Sequence, residues 1–427
     1  MKYRFRFNPW QYLLLSFLLL ILFGAFLLEM PFVRHKQGLP LIDALFTSTS
    51  AVCVTGLTTV PTSGFNVAGQ LVILLLIQLG AIGIMTLTSS FLLALKGHIG
   101  LKHRISFSRL QEDYKLNDAT EILKRIIAIT FVVEFIGMLL LFLGFLIEGL
   151  PWKSALYQGF FHSISAFCNA GFSTYDNSLT GRNALIKYTV AGLIVMGGIG
   201  YFVIYEVMEY LKHRRKFSLH TIVVLRVTLF LIVAGAILMY VFEHGRMGIT
   251  DSIFQSVTTR TAGFNSVPLQ HLHFASVFIM IILMFIGASP GSTGGGIKTT
   301  VFFVTLMAVL NYLRGKPDVT VFHRTIPRKT VLRAFTTTFL YAGILAVAVL
   351  ILFTSGSYKF EEVLFEAVSA MGTVGLSLGI TPSLTLTGKI VIILLMYIGR
   401  VGPATLGMAT VEREKEIKIK YPEGDIY

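Results

Sequence analysis

The chain is short of charge. Of its 427 residues only 14% are Asp, Glu, Lys or Arg, while 54% are hydrophobic and the mean hydropathy is +0.74. A soluble domain usually carries about 25% charged residues, so a soluble fold is excluded. Cysteine is nearly absent, with Cys53 and Cys168 alone. Two thiols imply no disulfide framework, and without a nearby histidine pair they make a weak metal site; both read as packing residues. A convergent acid, base or nucleophile set within the apolar segments is missing too, which argues against an enzyme.

What is present is long apolar runs. A bilayer crossing needs roughly 20 apolar residues. Such runs fall near 11–29, 67–95, 126–147, 186–208, 222–242, 272–286 continuing after a break into 301–313, 334–354 and 387–410. These make eight spans, the sixth interrupted, in an all-α integral membrane protein. The first run is longer than the core of a cleaved signal peptide and lacks a small-residue cleavage site after it.

The net charge of +14 does not point to nucleic acid, because of where it lies. The segments 1–7, 96–125, 212–226, 313–333 and 413–427 hold 25 of the 36 Lys and Arg residues, and they are every second connection between spans. By the positive-inside rule these are cytoplasmic, with both termini inside the cell membrane.

The outer connections repeat one another. They read ALFTSTSAVCVTGLTTV (44–60), GFFHSISAFCNAGFSTY (159–175), SIFQSVTTRTAGFNSV (252–267) and VLFEAVSAMGTVGLSLG (363–379). Phe46, Phe161, Phe254 and Phe365 each stand four residues before a hydroxyl at Ser50, Ser165, Thr258 or Ser369. A glycine follows at Gly56, Gly171, Gly263 and Gly375, with the third copy one residue short. A second glycine landmark recurs in each following span as GAIG (80–83), GGIG (197–200), GASPG (287–291) and GRVG (399–402). The intervals from motif glycine to landmark are 24, 26, 24 and 24 residues. The chain therefore divides into four copies of span, short hairpin and span. Their boundaries are 1–95, 96–212, 213–313 with a broken second span, and 314–427 with the tail.

Each hairpin is too short to cross and return. A half-length helix, 40–50 in the first copy, enters from outside, stops near the midplane, and the chain climbs back non-helically. Irregular backbone at that depth survives only when it is buried in protein or lines a watery cavity. Four such strands around one axis present rings of carbonyl oxygens that can replace the water shell of a monovalent cation. Glycine permits the positive φ that turns successive carbonyls the same way. The segments 54–58, 169–173, 261–265 and 373–377 contain no carboxylate, which disfavours a divalent-cation ring. The candidate filter is Val54, Thr55, Gly56, Leu57; Asn169, Ala170, Gly171, Phe172; Thr261, Ala262, Gly263, Phe264; and Thr373, Val374, Gly375, Leu376.

With these motifs the chain resembles the Trk/Ktr/HKT superfamily of potassium and sodium translocators, and within it the Ktr membrane subunits. VTGLT, NAGFS, TAGFN and TVGLS are similar to degenerate forms of the potassium-channel filter TVGYG, and the likeness covers nearly the whole chain. Trk subunits carry extra spans before the first repeat, whereas here the first repeat starts almost at Met1. Sodium-selective plant members carry serine at the first filter glycine, so Gly56 implies potassium, with sodium transport or sodium coupling as the alternative. The resemblance also implies a homodimer with one pore per protomer and a cytosolic ring of nucleotide-binding (ATP/ADP) regulatory subunits. The tail 412–427 is charged and mixed, and the resemblance implies contact there with the ring or the other protomer.

GASPGSTGGGIKTT (287–300) interrupts the sixth span. Pro290 with Gly291, Gly294, Gly295 and Gly296 cannot hold a helix. A passive kink is one reading. A phosphate-binding loop is another, which would make the protein a nucleotide-operated receptor. It fits poorly, because Ile297 separates Gly296 from Lys298 and no strand precedes the loop. The resemblance implies a third: an intramembrane gate below the filter, comprising Gly287, Ser289, Pro290, Gly291, Ser292, Thr293, Gly294, Gly295, Gly296 and Lys298. Arg400, in mid-span, is a functional residue by default. It is read as a positive barrier facing the cavity or as half of an ion pair with a buried carboxylate. Lys298 is read as a barrier or as snorkelling to the inner interface. Arg260 is expected to brace the third half-helix, against Glu134 or Glu366. His162, on a half-helix, is expected to be structural.

Overall fold

The computed structural model describes residues 9–33, 39–97, 119–214, 216–322 and 324–402. The basic N-terminus, most of the 96–125 connection and the charged tail lie outside these residues.

The described chain repeats one order four times: helix, half-helix, helix. Copy 1 is Pro9–Glu29, Leu41–Val52 and Val67–Gly97, and copy 2 begins with Ala119–Ile147 and Trp152–Phe167. Copy 3 is Leu219–Phe242, Ile249–Thr258, then Phe274–Ile286 and Thr299–Leu313 on either side of a break; copy 4 is Arg328–Ser355, Phe360–Gly372 and Leu386–Val401. A two-residue strand pair, Thr320–Val321 against Arg324–Thr325, sits in the basic connection before copy 4.

The first helix of each copy is apolar around most of its circumference. It leaves residues such as Leu19, Phe23, Phe135 and Phe339 exposed on the outside, as a hydrocarbon solvent requires. Among the described residues, four helices are individually long and apolar enough to cross a membrane: 11–29, 124–147, 219–242 and 328–355. They are the first helices of the four copies. Of the second helices, Val67–Gly97 runs unbroken, that of copy 2 is bent, that of copy 3 is broken, and Leu386–Val401 is short.

The eight-run reading therefore needs one correction. The fourth run, 186–208, is not a continuous span: helices Ala184–Ile199 and Tyr201–His213 meet at 101°. Gly200 makes the corner with φ 91°, and a Cβ there would meet the Pro290 carbonyl at 2.6 Å. Only glycine turns there without strain, and the neighbouring loop fills the space beside it.

The half-helices lie at the centre. Their inner ends are buried, each with a hydroxyl at Ser50, Ser165, Thr258 or Ser369, and three are clamped to the preceding helix by one serine. Ser48 Oγ donates to Ile21 O at 2.6 Å, Ser163 Oγ to Glu134 O, and Ser256 Oγ to Ile232 O at 2.8 Å. Three residues after each acceptor stands a glycine, Gly24, Gly137 or Gly235, whose hypothetical Cβ would strike that serine. Small residues let helix backbones approach, so a polar clamp can close. In copy 4 the matching position is Ala367, which has no hydroxyl to donate. Between copies, Tyr157 Oη donates to Gln70 Oε1 at 2.5 Å, and Lys187–Asp251 and Lys389–Asp43 are ion pairs of 2.6 Å.

Candidate functional site

Each half-helix ends because the next residues leave helical geometry in the same way. Two residues before each motif glycine the backbone has positive φ: 55° at Val54, 60° at Asn169, 124° at Thr261 and 49° at Thr373. The glycines themselves have φ of 99°, 71°, 77° and 92°. The odd value at Thr261 belongs to the copy that is one residue short. The residue between turns its N–H back to the half-helix. Thr55 N donates to Ser50 O, Ala170 N to Ser165 O and Val374 N to Ser369 O, each at 2.8 Å, and Ala262 N donates to Thr258 O at 2.9 Å. The landmark hydroxyls complete this in two copies: Gly56 N donates to Ser50 Oγ at 3.0 Å and Gly375 N to Ser369 Oγ at 3.1 Å. In copy 2 Ser165 Oγ instead donates to Phe172 O at 2.8 Å. With these amides tied behind, the carbonyls between them are free to face forward.

The four glycines form a closed ring. A Cβ on Gly56 would meet Ala170 O at 2.5 Å, and one on Gly171 would meet Ala262 O at 2.5 Å. From Gly263 it would strike Val374 O, and from Gly375 it would strike Thr55 O. Each glycine thus faces the carbonyl before the next glycine, round from copy 1 through 2, 3 and 4 back to 1. All four expected strands come together here.

The 287–300 loop packs against this ring and is fastened to copies 2 and 4 directly, and to copy 1 through Arg400. A Cβ on Gly294 would strike Thr261 Oγ1, one on Gly295 would strike Thr373 Oγ1, and Gly295 N donates to Thr373 Oγ1 at 2.9 Å. Thr293 Oγ1 donates to Phe167 O at 3.3 Å, while Ser289 N and Thr293 N donate to Gly198 O and Gly197 O at 3.0 and 3.2 Å. Ser289 Oγ pairs with Thr299 Oγ1 at 2.9 Å, and Ser292 Oγ donates to Ser289 O at 2.6 Å. Tyr201 N donates to Gly291 O at 3.1 Å, so the corner at Gly200 rests on the loop's Pro290–Gly291 turn.

Arg400 is buried, with 4% exposure. Its Nη1 donates to Thr293 O and its Nη2 to Gly80 O at 2.9 Å, which straps the loop to the second helix of copy 1. Among the described residues its partners are these two carbonyls, and no carboxylate pairs with it there. Lys298 does not extend away from the loop, since its Nζ donates to Gly294 O at 2.5 Å. Arg260 differs from expectation. It donates to Gly287 O at 3.2 Å, at the loop's first hinge, rather than to an acid. Glu134 accepts from Gln78 Nε2 at 3.2 Å beside Cys168, and Glu366 accepts from Ser377 and Thr381. His162 is tied to Gln158 O and Ser173 Oγ.

One participant, the corner at Gly200, was missed in the sequence, and the side-chain role of one expected filter residue, Asn169, was not foreseen. Gly200 was legible as part of a landmark whose spacing was two residues too long, but nothing marked it as a corner. The Asn169 amide meets Thr261 Oγ1 at 2.9 Å, joining neighbouring strands. Of the four residues at this position, Val54, Asn169, Thr261 and Thr373, only Asn169 carries an amide, which was the available signal.

Comparison with known proteins agrees with this geometry. The profile of the TrkH family, described as a cation transport protein, matches residues 11–416. The chain is 37% identical to the Ktr system potassium uptake protein B of Bacillus subtilis over 437 residues, covering 99% of this chain and 97% of that one. It is 39% identical to the potassium/sodium uptake protein NtpJ of Enterococcus hirae over 448 residues, covering 100% and 98%. The crystal structure of the potassium transporter TrkH from Vibrio parahaemolyticus superposes with a TM-score of 0.75 at 19% identity, covering 96% of this chain and 86% of that one, which shows a shared fold. The chain belongs to the TrkH family of cation transport proteins: it is a multi-pass membrane protein and not an enzyme.

Proposed function

We propose that this member of the TrkH family passes potassium across the cell membrane, driven by the electrochemical gradient, through the ring formed by the four glycine motifs. In this reading the protein crosses eight times with both termini in the cytoplasm, and the 287–300 loop is its gate. The observation that carries it is the closed ring: four glycines, each against the next copy's carbonyl, with the strand amides tied back to the half-helices. A dehydrated monovalent cation needs such a cage of oxygens. The half-helices also aim the negative ends of their dipoles at the ring. The loop fills the space under the ring, so an ion leaving inward must displace it, and Arg400 adds a fixed positive charge on that path.

The potassium uptake of the 37% identical relative supports potassium as the ion, as does glycine at position 56. A second reading, sodium transport or sodium coupling, is favoured by one fact: a similar relative is a potassium/sodium uptake protein. The receptor reading of the glycine-rich loop is weakened by its burial. ATP binding through Lys298 by the purified chain would revive it. We place the functional unit as a homodimer on a cytosolic ring of ATP/ADP-binding subunits, with the basic connections as the docking face.

The test is ion flux from proteoliposomes with potassium and sodium varied independently. Gly56→Ser puts a side chain against Ala170 O and is expected to lower discrimination of potassium over sodium. Unchanged discrimination would refute the filter. Potassium flux that needs a sodium gradient would select the coupled reading.

A further inference from the structure

One position on the half-helices is not explained by the ring. Immediately after the landmark phenylalanines stand Thr47, His162, Gln255 and Glu366, all buried. In copies 2 and 4 this residue reaches across to the strand leaving the filter, and it does so by the same chain of hydrogen bonds. Four residues past the motif glycine a backbone N–H donates to the hydroxyl two residues past it. These are Tyr175 N to Ser173 Oγ at 3.1 Å and Gly379 N to Ser377 Oγ at 2.9 Å. That hydroxyl in turn meets the half-helix side chain: Ser173 Oγ lies 3.0 Å from His162 Nε2, and Ser377 Oγ donates to Glu366 Oε2 at 2.7 Å. His162 Nδ1 sits 2.9 Å from Gln158 O, which can only accept. Nδ1 therefore carries the proton and Nε2 accepts from Ser173. Glu366 takes a second hydroxyl, Thr381 Oγ1, on its other oxygen.

Copies 1 and 3 lack this connection. Thr47 Oγ1 and both ends of the Gln255 amide have no hydrogen-bond partner among the described residues; the third exit strand is held instead through its backbone, with Asn265 N donating to Ser178 Oγ at 3.1 Å and Leu179 N to Asn265 O at 2.9 Å. The glycine ring runs 1, 2, 3, 4, so copies 2 and 4 face each other across the axis. The ion pairs repeat this two-fold pattern, with Lys187 of copy 2 on Asp251 of copy 3 and Lys389 of copy 4 on Asp43 of copy 1. A four-fold filter is thus held from outside by a two-fold frame.

We propose that His162 and Glu366 are positioning residues that set ion discrimination, by tying the outer ends of the two opposed filter strands to their own half-helices, a link that copies 1 and 3 lack. This rests on the filter reading of the ring. Potassium and sodium differ in the cage size they need, so discrimination falls when opposed carbonyls can move together. A hydroxyl held by a buried charged or polar acceptor is worth enough to matter.

The experiment measures potassium and sodium uptake into proteoliposomes for the full chain. The variants are His162→Phe, Glu366→Gln and, at the far end of the same bonds, Ser173→Ala and Ser377→Ala. Gln255→Leu and Thr47→Val are the matched controls, and Gly56→Ser is the filter control. Expected is a loss of discrimination on the order of tenfold for His162→Phe, with a raised KM for potassium at little-changed maximal flux. Glu366→Gln, which keeps one accepting oxygen, is expected to lose less, and the two controls little. The serine variants remove one small group each and keep the test open should a half-helix variant fail to fold. If the four variants discriminate as well as the unaltered chain while Gly56→Ser does not, the frame is wrong and the filter stands. Should Gln255→Leu and Thr47→Val lose as much as the others, the two-fold assignment is wrong. Full discrimination in Gly56→Ser removes the filter and the frame together.

Discussion

At the level of the four glycines the copies repeat one backbone pattern; below it they do not. The upper layer shows the same hydrogen bond from strand amide to half-helix carbonyl four times, at 2.8 to 2.9 Å. In the lower layer copy 1 runs as one helix through its glycine landmark, copy 2 turns a corner at Gly200, and copy 3 opens into a loop that rests on the others. The difference follows from what each layer has to do in the proposed function. Surrounding an ion needs equal contributions from every side. Blocking and unblocking a path needs one element with somewhere to go.

The largest effect should come from breaking the upper layer's equality. A Cβ on Gly375 would strike Thr55 O, and φ of 92° is unfavourable for any other residue. Strain and overpacking together cost about 3 kcal/mol, on the order of a hundredfold in a rate. Gly375→Ala is therefore expected to lower potassium flux by that order, measured per protein inserted. Alanine at Gly56, Gly171 or Gly263 should do comparable damage, and a position that tolerates it would show that the ring is less equal than its geometry.

The lower layer should respond in the opposite direction. Deleting Gly294–Gly296 removes the segment pressed under Thr261 and Thr373 and is expected to raise flux, on the order of tenfold if the closed state dominates. A fall in flux from well-folded protein would mean that the loop builds the path instead of blocking it. Smaller again is Arg400→Gln. It keeps a donor for Thr293 O or Gly80 O but removes the charge, so flux should rise by a few fold, as an unshielded cation–cation repulsion in a partly wet cavity would allow. Loss of protein without any rise in flux would make Arg400 a structural strap only.

Much of the upper layer was legible because its rules are local. Hydroxyl, glycine and bulky apolar residue at fixed spacing report a helix end followed by a turn that needs positive φ, and no distant partner decides that. The missing residue of copy 3 even shows in the structure as the odd φ of Thr261. The lower layer was legible only as composition. GASPGSTGGG says that no helix forms there, but its fastening to Gly197, Gly198, Phe167 and Arg400 comes from residues far away in the chain. Arg260 illustrates the limit. Its burial and charge suggested an acid as partner, whereas it reached a loop carbonyl, because a bent backbone exposes carbonyls that a helix would have used. Gly200 was hidden for the same reason: a glycine in a span is unremarkable until the neighbour that forces the corner is known.

The smallest effect tests whether the first helices belong to the repeated layer. Gly24, Gly137 and Gly235 each sit under a clamping serine, but Gly343 in copy 4 has no atom within 4 Å of a hypothetical Cβ, and Ala367 offers no clamp. An unopposed glycine inside a helix costs roughly 0.5 to 1 kcal/mol relative to alanine. Gly343→Ala should therefore raise thermal stability slightly and leave flux unchanged. Gly235→Ala, whose Cβ would press on Ser256 Oγ and Leu283, should lower stability by about 1–3 kcal/mol, the usual cost of overpacking. Thermal unfolding of the two variants in detergent gives the sign of each change. If Gly343→Ala destabilises as Gly235→Ala does, the first helix of copy 4 is held against its half-helix by contacts equivalent to the clamp. Opposite signs would mark copy 4 as the quarter where the outer wall is not fastened to the pore.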